Sequence, residues 1–440
     1  MEGLKNKNVL VYGAGKSGIS AVRLLCKSGA TAWLWDNAFN DENCQICNDA
    51  KTQLLGLNCV FLKAKEDIPY NIIEFAIINP AVPPFKMPIP VISELEFAST
   101  FIKKPIIAIT GTNGKTTVTK TIGHILGVEQ YGNIGTPLSD FNNEKYCVCE
   151  VSSFQLETCT NFKPKISVIL NIEQDHLDRH NTMEEYSAIK ASIFKNQKRK
   201  EFTVLNYDCI RTRELAKKAK CRVMFFSTQY RVSGVYVSDG IIYFNKKQLF
   251  SIKELNFVGE HNLSNFLASI LICCLLGIKT KNILEKCKTF VAEKHRLELV
   301  STVQGIDFYN DSKATNIASV MAAVNSFGNR DIRLIIGGIT KGQEFSNFLS
   351  NLPKTVKTIV VIGEARQIFT KLAVQDGCEF LHLADSLQRA VDICYENALY
   401  SDVVLLSPAC SSFDMFKNYK HRGEVFVDAC NRIKENQKDQ

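Results

Sequence analysis

The chain has 440 residues, 45% of them hydrophobic and 22% charged, which suits about three globular domains with cores of their own and excludes a disordered or fibrous chain. Its net charge of +8 is spread along the sequence; a solvated lysine-rich surface accounts for it, it also fits anionic substrates, and no basic block points to nucleic acid. No apolar run reaches the ~18 residues of a membrane helix and no basic-then-apolar leader opens the chain, so membrane insertion is not expected and a cytoplasmic location is. The close cysteine pairs, Cys44 with Cys47, Cys147 with Cys149 and Cys273 with Cys274, lack the second pair or the histidines of a zinc site, and the sixteen thiols read as reduced and mostly buried.

In chain order, 8–12 reads as a buried strand, followed by Gly13-Ala-Gly-Lys-Ser-Gly18, a helix to about 27, and a strand over 30–35 that ends in Asp36. Glycine turn, helix start and an acid closing the second strand form the dinucleotide fingerprint. Alone it suggests an NAD enzyme, but any nucleotide diphosphate satisfies the same physics. A third strand over 75–78 ends in Asn79-Pro-Ala-Val-Pro-Pro84, whose prolines stop the sheet. A helix over 93–99 leads to Lys103-Lys-Pro105, a candidate boundary.

The run 106–109 then predicts a strand, Gly111-Thr-Asn-Gly-Lys-Thr-Thr117 a loop, and apolar Val118, Ile122, Ile125 and Leu126 a helix. The bland reading is a glycine turn before a helix. The sharper one is a nucleoside triphosphate site: glycines let backbone N–H groups converge on phosphate, Lys115 neutralises charge, and the Thr116 hydroxyl ligates Mg2+. Ile109 stands where the generic pattern has glycine, so the match is to the shorter form.

Further strands over 146–150 and 166–170, and the loops 132–135 and 171–178, put polar residues at strand ends, where an open parallel sheet gathers its ligands. Glu150 and His176 are thereby candidate Mg2+ ligands as well as candidates for ordinary satisfied polar residues, histidine being an unusual choice for that ion. A helix over 183–196 carries Lys190 on the side of Tyr186 and Ile193, where spacing alone reads as a snorkelling surface lysine. Residues 202–258 alternate short β-type runs with turns, and Gly259-Glu-His-Asn262-Leu-Ser-Asn265 opens a helix to about 276, with both asparagines reading as caps. A composition shift over 291–295 marks a second boundary. Strands over 306–308, 333–336, 358–362, 379–382 and 403–406 then alternate with helices as a third α/β unit. Their ends carry Asn310-Asp-Ser-Lys-Ala-Thr-Asn316, Gly337-Gly-Ile-Thr-Lys341-Gly342 and Ser407-Pro-Ala-Cys-Ser-Ser412-Phe413-Asp414, and the tail after Arg432 reads as a frayed helix end.

These residues resemble the Mur ligases over essentially the whole chain. The loop 111–117 and Asp175-His-Leu-Asp178 with Lys190 are shared across that superfamily, folylpolyglutamate synthases included. Ser152-Ser-Phe-Gln-Leu-Glu157, the 310–316 segment, and Ser407-Pro-Ala-Cys410 with Phe416-Lys-Asn-Tyr419 are similar to the branch that adds D-glutamate. The resemblance implies an α/β chain of three domains: a Rossmann-like UDP-substrate domain over 1–102, a P-loop-type ATPase domain with a parallel sheet over 103–292, and a Rossmann-like amino-acid domain over 293–440. It implies a monomer that uses ATP and two Mg2+ ions to join D-glutamate to UDP-N-acetylmuramoyl-L-alanine through an acyl phosphate, for cell-wall precursors.

By the same resemblance, Gly111, Thr112, Asn113, Gly114, Lys115, Thr116 and Thr117 hold the ATP phosphates. Thr116 and Glu150 share one Mg2+, while His176 and a carbamylated Lys190 hold the second. Asn262, Asn265, Arg296 and Asp311 contact adenine, phosphates and ribose. Asp36 and Asn37 read the uracil, the amides around Lys16 and Ser17 the diphosphate, and Asn133, Ser152 and Gln155 the sugar-peptide part. Thr315, Lys341, Ser412, Phe413 and Tyr419 bind D-glutamate. Two stretches depart from the family pattern: Ala292-Glu-Lys-His295 replaces a proline-containing turn before Arg296, and Ala81 and Val82 stand where a glycine is expected near the uracil.

Overall fold

The computed structural model describes residues 2–41, 44–83, 86–255, 260–291 and 294–437. Pro84, Val258, Gly259, Ala292 and Glu293 of the segments above therefore lie outside the described residues.

Three sheets are built from three successive stretches of chain. The first comprises β1 (Asn8–Tyr12), β2 (Thr31–Trp35), β3 (Cys59–Phe61), β4 (Ile73–Ile78) and β5 (Val91–Ser93), parallel throughout in the order β3-β2-β1-β4-β5. Val9, Val11 and Leu34 pack with Ile19, Val22 and Leu25 of the helix Lys16–Lys27, whose apolar residues recur every three positions and so share one face. The two three-residue strands β3 and β5 are absent from the sequence reading, being too short to show a period.

The second sheet comprises β6 (Ile106–Thr110), β7 (Gln130–Gly132), β8 (Cys147–Glu150), β9 (Ile166–Ile169), β10 (Phe202–Asn206), β11 (Arg222–Ser227), β12 (Gly234–Ser238), β13 (Ile241–Phe244) and β14 (Lys247–Ser251). Its order is β14-β13-β12-β11-β10-β9-β6-β8-β7, parallel from β7 to β12 and antiparallel beyond. β6, β8 and β9 are buried at every residue, which is why they read as mostly apolar runs without alternation. The turns Asp239-Gly240 and Asn245-Lys246 have positive φ at both residues, the geometry of two-residue hairpins, and account for the alternation noted over 202–258.

The third sheet comprises β15 (Glu298–Val303), β16 (Ile306–Asn310), β17 (Ile332–Gly337), β18 (Val356–Ile362), β19 (Leu381–Leu383) and β20 (Val403–Leu406). Its order is β15-β16-β20-β17-β18-β19, with β15 antiparallel to β16 and the other pairs parallel. The half-exposed edge strand β15, with its mixed polar sequence, escapes the sequence reading.

The chain packs as two compact units. One holds Met1–Ile172, Glu184–Glu254 and Asn265–Lys288, and with them the first two sheets; the other holds Glu173–Met183, Leu255–Ser264 and Thr289–Gln440, and the third sheet. All sixteen cysteines are free, eight buried and eight partly exposed. Among the described residues no helix is long and apolar enough to cross a membrane.

Candidate functional site

The loop after β6 feeds the helix Lys115–Leu126, and Gly114 precedes that helix in the left-handed region at φ +82°. A Cβ there would lie 2.3 Å from Asn265 Oδ1, so this position excludes any side chain. The Thr116 hydroxyl donates to Glu150 Oε2 at 2.8 Å, and the Asn133 side-chain amide donates to Glu150 Oε1 at 2.7 Å. Glu150 ends β8, next to β6 in the sheet, and is 2% exposed. Lys115 Nζ donates to the Gly111 and Thr112 carbonyls, each at 2.8 Å. The loop is braced from β9: Asn171 accepts the Thr112 N–H on its carbonyl at 3.0 Å and the Asn113 N–H on its side chain at 2.8 Å.

Lys190 corrects the surface reading that spacing gave. It is 1% exposed, its Nζ donates to the Gly111 carbonyl at 2.9 Å, and it lies 4.4 Å from the centre of the Tyr186 ring. Tyr186 in turn meets the Thr112 hydroxyl at 3.3 Å. The reason is the path of its helix, Met183–Ala191, which packs that face against the phosphate loop and not against water. Asn262 and Asn265 are likewise not caps, because the helix Glu260–Leu275 is already running when it reaches them. Asn265 is buried against Gly114 instead.

In the first sheet, a cavity of about 560 Å³ is lined by Ala14, Gly15, Lys16, Arg23, Asp36 and Asn79, and also by Pro137 and Asp140 from beyond β7. Gly18 cannot carry a side chain either, since its Cβ would meet the Gly13 carbonyl at 1.9 Å; that contact seats the helix on the glycine turn. The Asp36 carboxylate accepts the N–H groups of Ala14 at 2.7 Å and Ala38 at 2.9 Å, closing the turn from the end of β2. Lys16 and Asn37 are exposed and Ser17 is half-buried. Ser152 and Gln155 bond reciprocally as a capping box on the short helix Ser153–Leu156, and Asn133 is drawn to Glu150.

In the second unit, β16, β20 and β17 are neighbours, so the loops that leave their ends, 311–316, 407–414 and 338–342, gather at one edge of the third sheet. Asp311 is buried, accepting the Ser407 hydroxyl at 2.9 Å and the Leu297 N–H at 3.2 Å. Burial pushes its carboxyl up to about 7, against the pull of Arg296 and Arg422. Arg296 has a buried Nε with no hydrogen-bond partner among the described residues. Lys341 is exposed at φ +52°, Phe413 is 68% exposed, Ser412 is buried, and Lys313 Nζ lies 5.7 Å from the centre of the Tyr419 ring. Thr315 is half-buried, with its carbonyl accepting from Gln343 at 3.1 Å. His176 starts the helix Leu177–His180 at φ +55°, and its N–H bonds to the Asp175 carboxylate.

The sequence pattern of the Mur ligase middle domain matches residues 109–273, and that of the Mur ligase glutamate ligase domain matches residues 295–410. The UDP-N-acetylmuramoylalanine–D-glutamate ligase of Caldicellulosiruptor bescii is 40% identical over 456 aligned positions, covering 98% of each chain. The chain belongs to the Mur ligase family. A ligase of the same description from Thermoanaerobacter is 40% identical over 450 positions, with 97% of this chain covered and 98% of that one. Among solved structures, the MurF ligase of Thermotoga maritima in complex with ADP superposes with a TM-score of 0.62 at 15% identity, covering 98% of this chain and 96% of that one.

For a Mur ligase, the residues around the phosphate loop fit a hard cation. The Thr116 hydroxyl and Glu150 carboxylate are adjacent oxygen donors, and Mg2+ takes few protein ligands, filling its shell from phosphate and water. No group of three or more His, Cys, Asp or Glu side chains converges among the described residues. Two residues of this Mur ligase escape sequence reasoning. Gln343 donates from its amide to the carbonyls of Thr315, Thr340 and Ala409, tying together all three loops of the third sheet. Arg422, fully buried, donates to the carbonyls of Ser312, Gly337 and Cys410, and burial lowers its guanidinium to about 10. A lone glutamine and an arginine in a helix pattern carry no local signal of such bonds.

Proposed function

We infer that the chain joins D-glutamate to UDP-N-acetylmuramoyl-L-alanine, driven by ATP. The observation that carries the phosphoryl-transfer half is the buried Thr116–Glu150 pair beside the left-handed Gly114. The choice of D-glutamate is supported by full-length relatives that bear that activity in their names.

A carboxylate is a poor electrophile, so an oxygen of the substrate carboxylate first takes the γ-phosphoryl group and ADP leaves. The D-glutamate amine then attacks the acyl carbon of this mixed anhydride, loses a proton, and inorganic phosphate departs. Gly111 to Thr117 cradle the triphosphate, with Lys115 neutralising charge on the transferring group. Thr116 and Glu150 would hold Mg2+, which when bound would supply further neutralisation of the phosphate oxygens. Asn265 and Asn262, with Arg296 and Asp311, orient the nucleoside; Lys16, Ser17, Asp36 and Asn37 hold the UDP end, and Asn133, Ser152 and Gln155 the sugar-peptide part. Lys341 meets a D-glutamate carboxylate electrostatically, in the company of Thr315, Ser412, Phe413 and Tyr419. Lys190, once carbamylated, would offer an oxygen ligand to a second Mg2+ while keeping an N–H for the Gly111 carbonyl, and His176 is a further candidate ligand for that ion. Domains at 1–102, 103–292 and 293–440, a monomeric state and a cytoplasmic location belong to the same reading.

Mass spectrometry of reactions holding ATP, Mg2+, UDP-N-acetylmuramoyl-L-alanine and one candidate amino acid at a time tests it. The expected product gains one glutamyl residue, with D-glutamate preferred. Faster product formation with L-alanine, a diamino acid or L-glutamate would overturn the assignment.

A further inference from the structure

The helix Glu94–Ser99 carries two carboxylates, Glu94 and Glu96, that are 1% and 4% exposed. Acids in a first helical turn are favoured by the dipole, but that preference holds at the surface and does not call for burial. Both side chains instead reach chain that follows the phosphate loop. Glu96 accepts the Asn161 N–H at 2.9 Å and the Asn161 side-chain amide at 3.1 Å, together with the Thr160 N–H. Glu94 Oε1 accepts the Ser139 N–H at 2.6 Å.

The two contacts differ in where they lead. Ser139 lies between Pro137 and Asp140, which line the 560 Å³ cavity together with Ala14, Gly15, Lys16 and Asp36. Thr160 and Asn161 do not line that cavity. The grip of Glu94 therefore falls on the backbone between two wall residues, while that of Glu96 falls elsewhere on the same junction between the first and second sheets. Among the described residues no cation pairs with Glu94, so an acid here is a costly way to secure a junction for stability alone. The Ser139 N–H needs only an acceptor oxygen at the right reach, so the length of the Glu94 side chain is what sets the distance.

We propose that Glu94 is a positioning residue for the UDP-linked substrate: by holding the Ser139 N–H it sets how far the 137–140 wall stands from the glycine turn. This rests on the reading of that cavity as the UDP end of the substrate site. The cavity bridges two sheets, so its width is not determined by either sheet alone, and a ligand that must touch both walls gains affinity when the gap is already correct.

The test measures UDP binding by calorimetry, KM for the UDP-linked substrate, kcat and melting temperature in wild type, Glu94→Ala, Glu94→Asp, Glu94→Gln and Glu96→Gln. Glu94→Ala, and Glu94→Asp with its shortened reach, are expected to weaken UDP binding and raise that KM about tenfold with kcat within twofold. Glu94→Gln keeps an acceptor oxygen at the same reach and restores most of the affinity. Glu96→Gln is expected to lower the melting temperature without changing UDP affinity. Wild-type UDP affinity in a folded Glu94→Asp or Glu94→Ala protein overturns the proposal, as does loss of affinity in all variants in proportion to lost stability. A wild-type chain that makes product without measurable UDP binding also overturns it. A chain that binds UDP and responds to Glu94 but makes no product refutes the proposed reaction while sustaining the role of Glu94.

Discussion

Replacing Gly114 by alanine isolates the geometry of the phosphate loop. At φ +82° an L-residue carries a strain of about 1–2 kcal/mol whatever space surrounds it. Here space is also missing: the new Cβ would lie 2.3 Å from Asn265 Oδ1 and 3.1 Å from Asn265 Cγ, so loop or amide must retreat by about 1 Å to reach van der Waals contact. Asn265 is itself buried, and the loop that would yield holds Lys115 and Thr116. A displacement of about 1 Å at a reacting centre costs on the order of 100-fold. Gly127→Ala is the control, because that glycine closes the same helix at φ +67° with no neighbour within 4 Å. Phosphate release assayed against ATP concentration is expected to show a loss of about 100-fold in kcat/KM for Gly114→Ala, and unchanged kinetics with only a lowered melting temperature for Gly127→Ala. Equal kinetics in the two variants would refute the steric argument.

Lys115→Ala is expected to reduce phosphate release by roughly 1,000-fold through loss of charge stabilisation on the transferring phosphoryl group; undiminished turnover would remove Lys115 from the mechanism. Lys190→Ala is expected to lose activity and to recover part of it in formate or acetate, and native-state mass measurement of the wild type at neutral pH is expected to show the added mass of one CO2 on Lys190. Absence of both effects would refute the carbamate. Asp311 yields a pH prediction. The native chain keeps its proton up to about 7 while the ordinary value is 3.8, so the native state binds more protons across that window. Its contribution to stability is therefore greatest below about pH 4, declines by up to about 4 kcal/mol as pH rises to 7, and is level above. Melting temperatures of wild type and Asp311→Asn across pH 4–8 check this: the variant is expected to show the shallower decline, and identical slopes would refute it.

Much of the architecture, and the strand, glycine loop and helix over 106–126, is legible in local sequence because both depend on local rules. A strand covered on two faces is dominated by apolar residues, as β6 and β9 are, and a glycine turn before a helix start shows itself in Gly111 and Gly114 ahead of Lys115 and Thr116. The three-residue edge strands β3 and β5 and the half-exposed edge strand β15 leave no such imprint. Polar residues are the harder case, since the same side chain serves at a surface or in a core according to partners that lie far along the chain. Lys190 looks like a surface lysine until the fold places it on the carbonyl of Gly111, 79 positions earlier. Gln343, Arg422 and Glu94 draw their roles from backbone groups brought near by the packing of sheets and loops. Local periodicity states which residues avoid water; which buried polar group meets which partner is decided only when distant segments close together, because the cost of leaving either group unbonded exists only once water is gone.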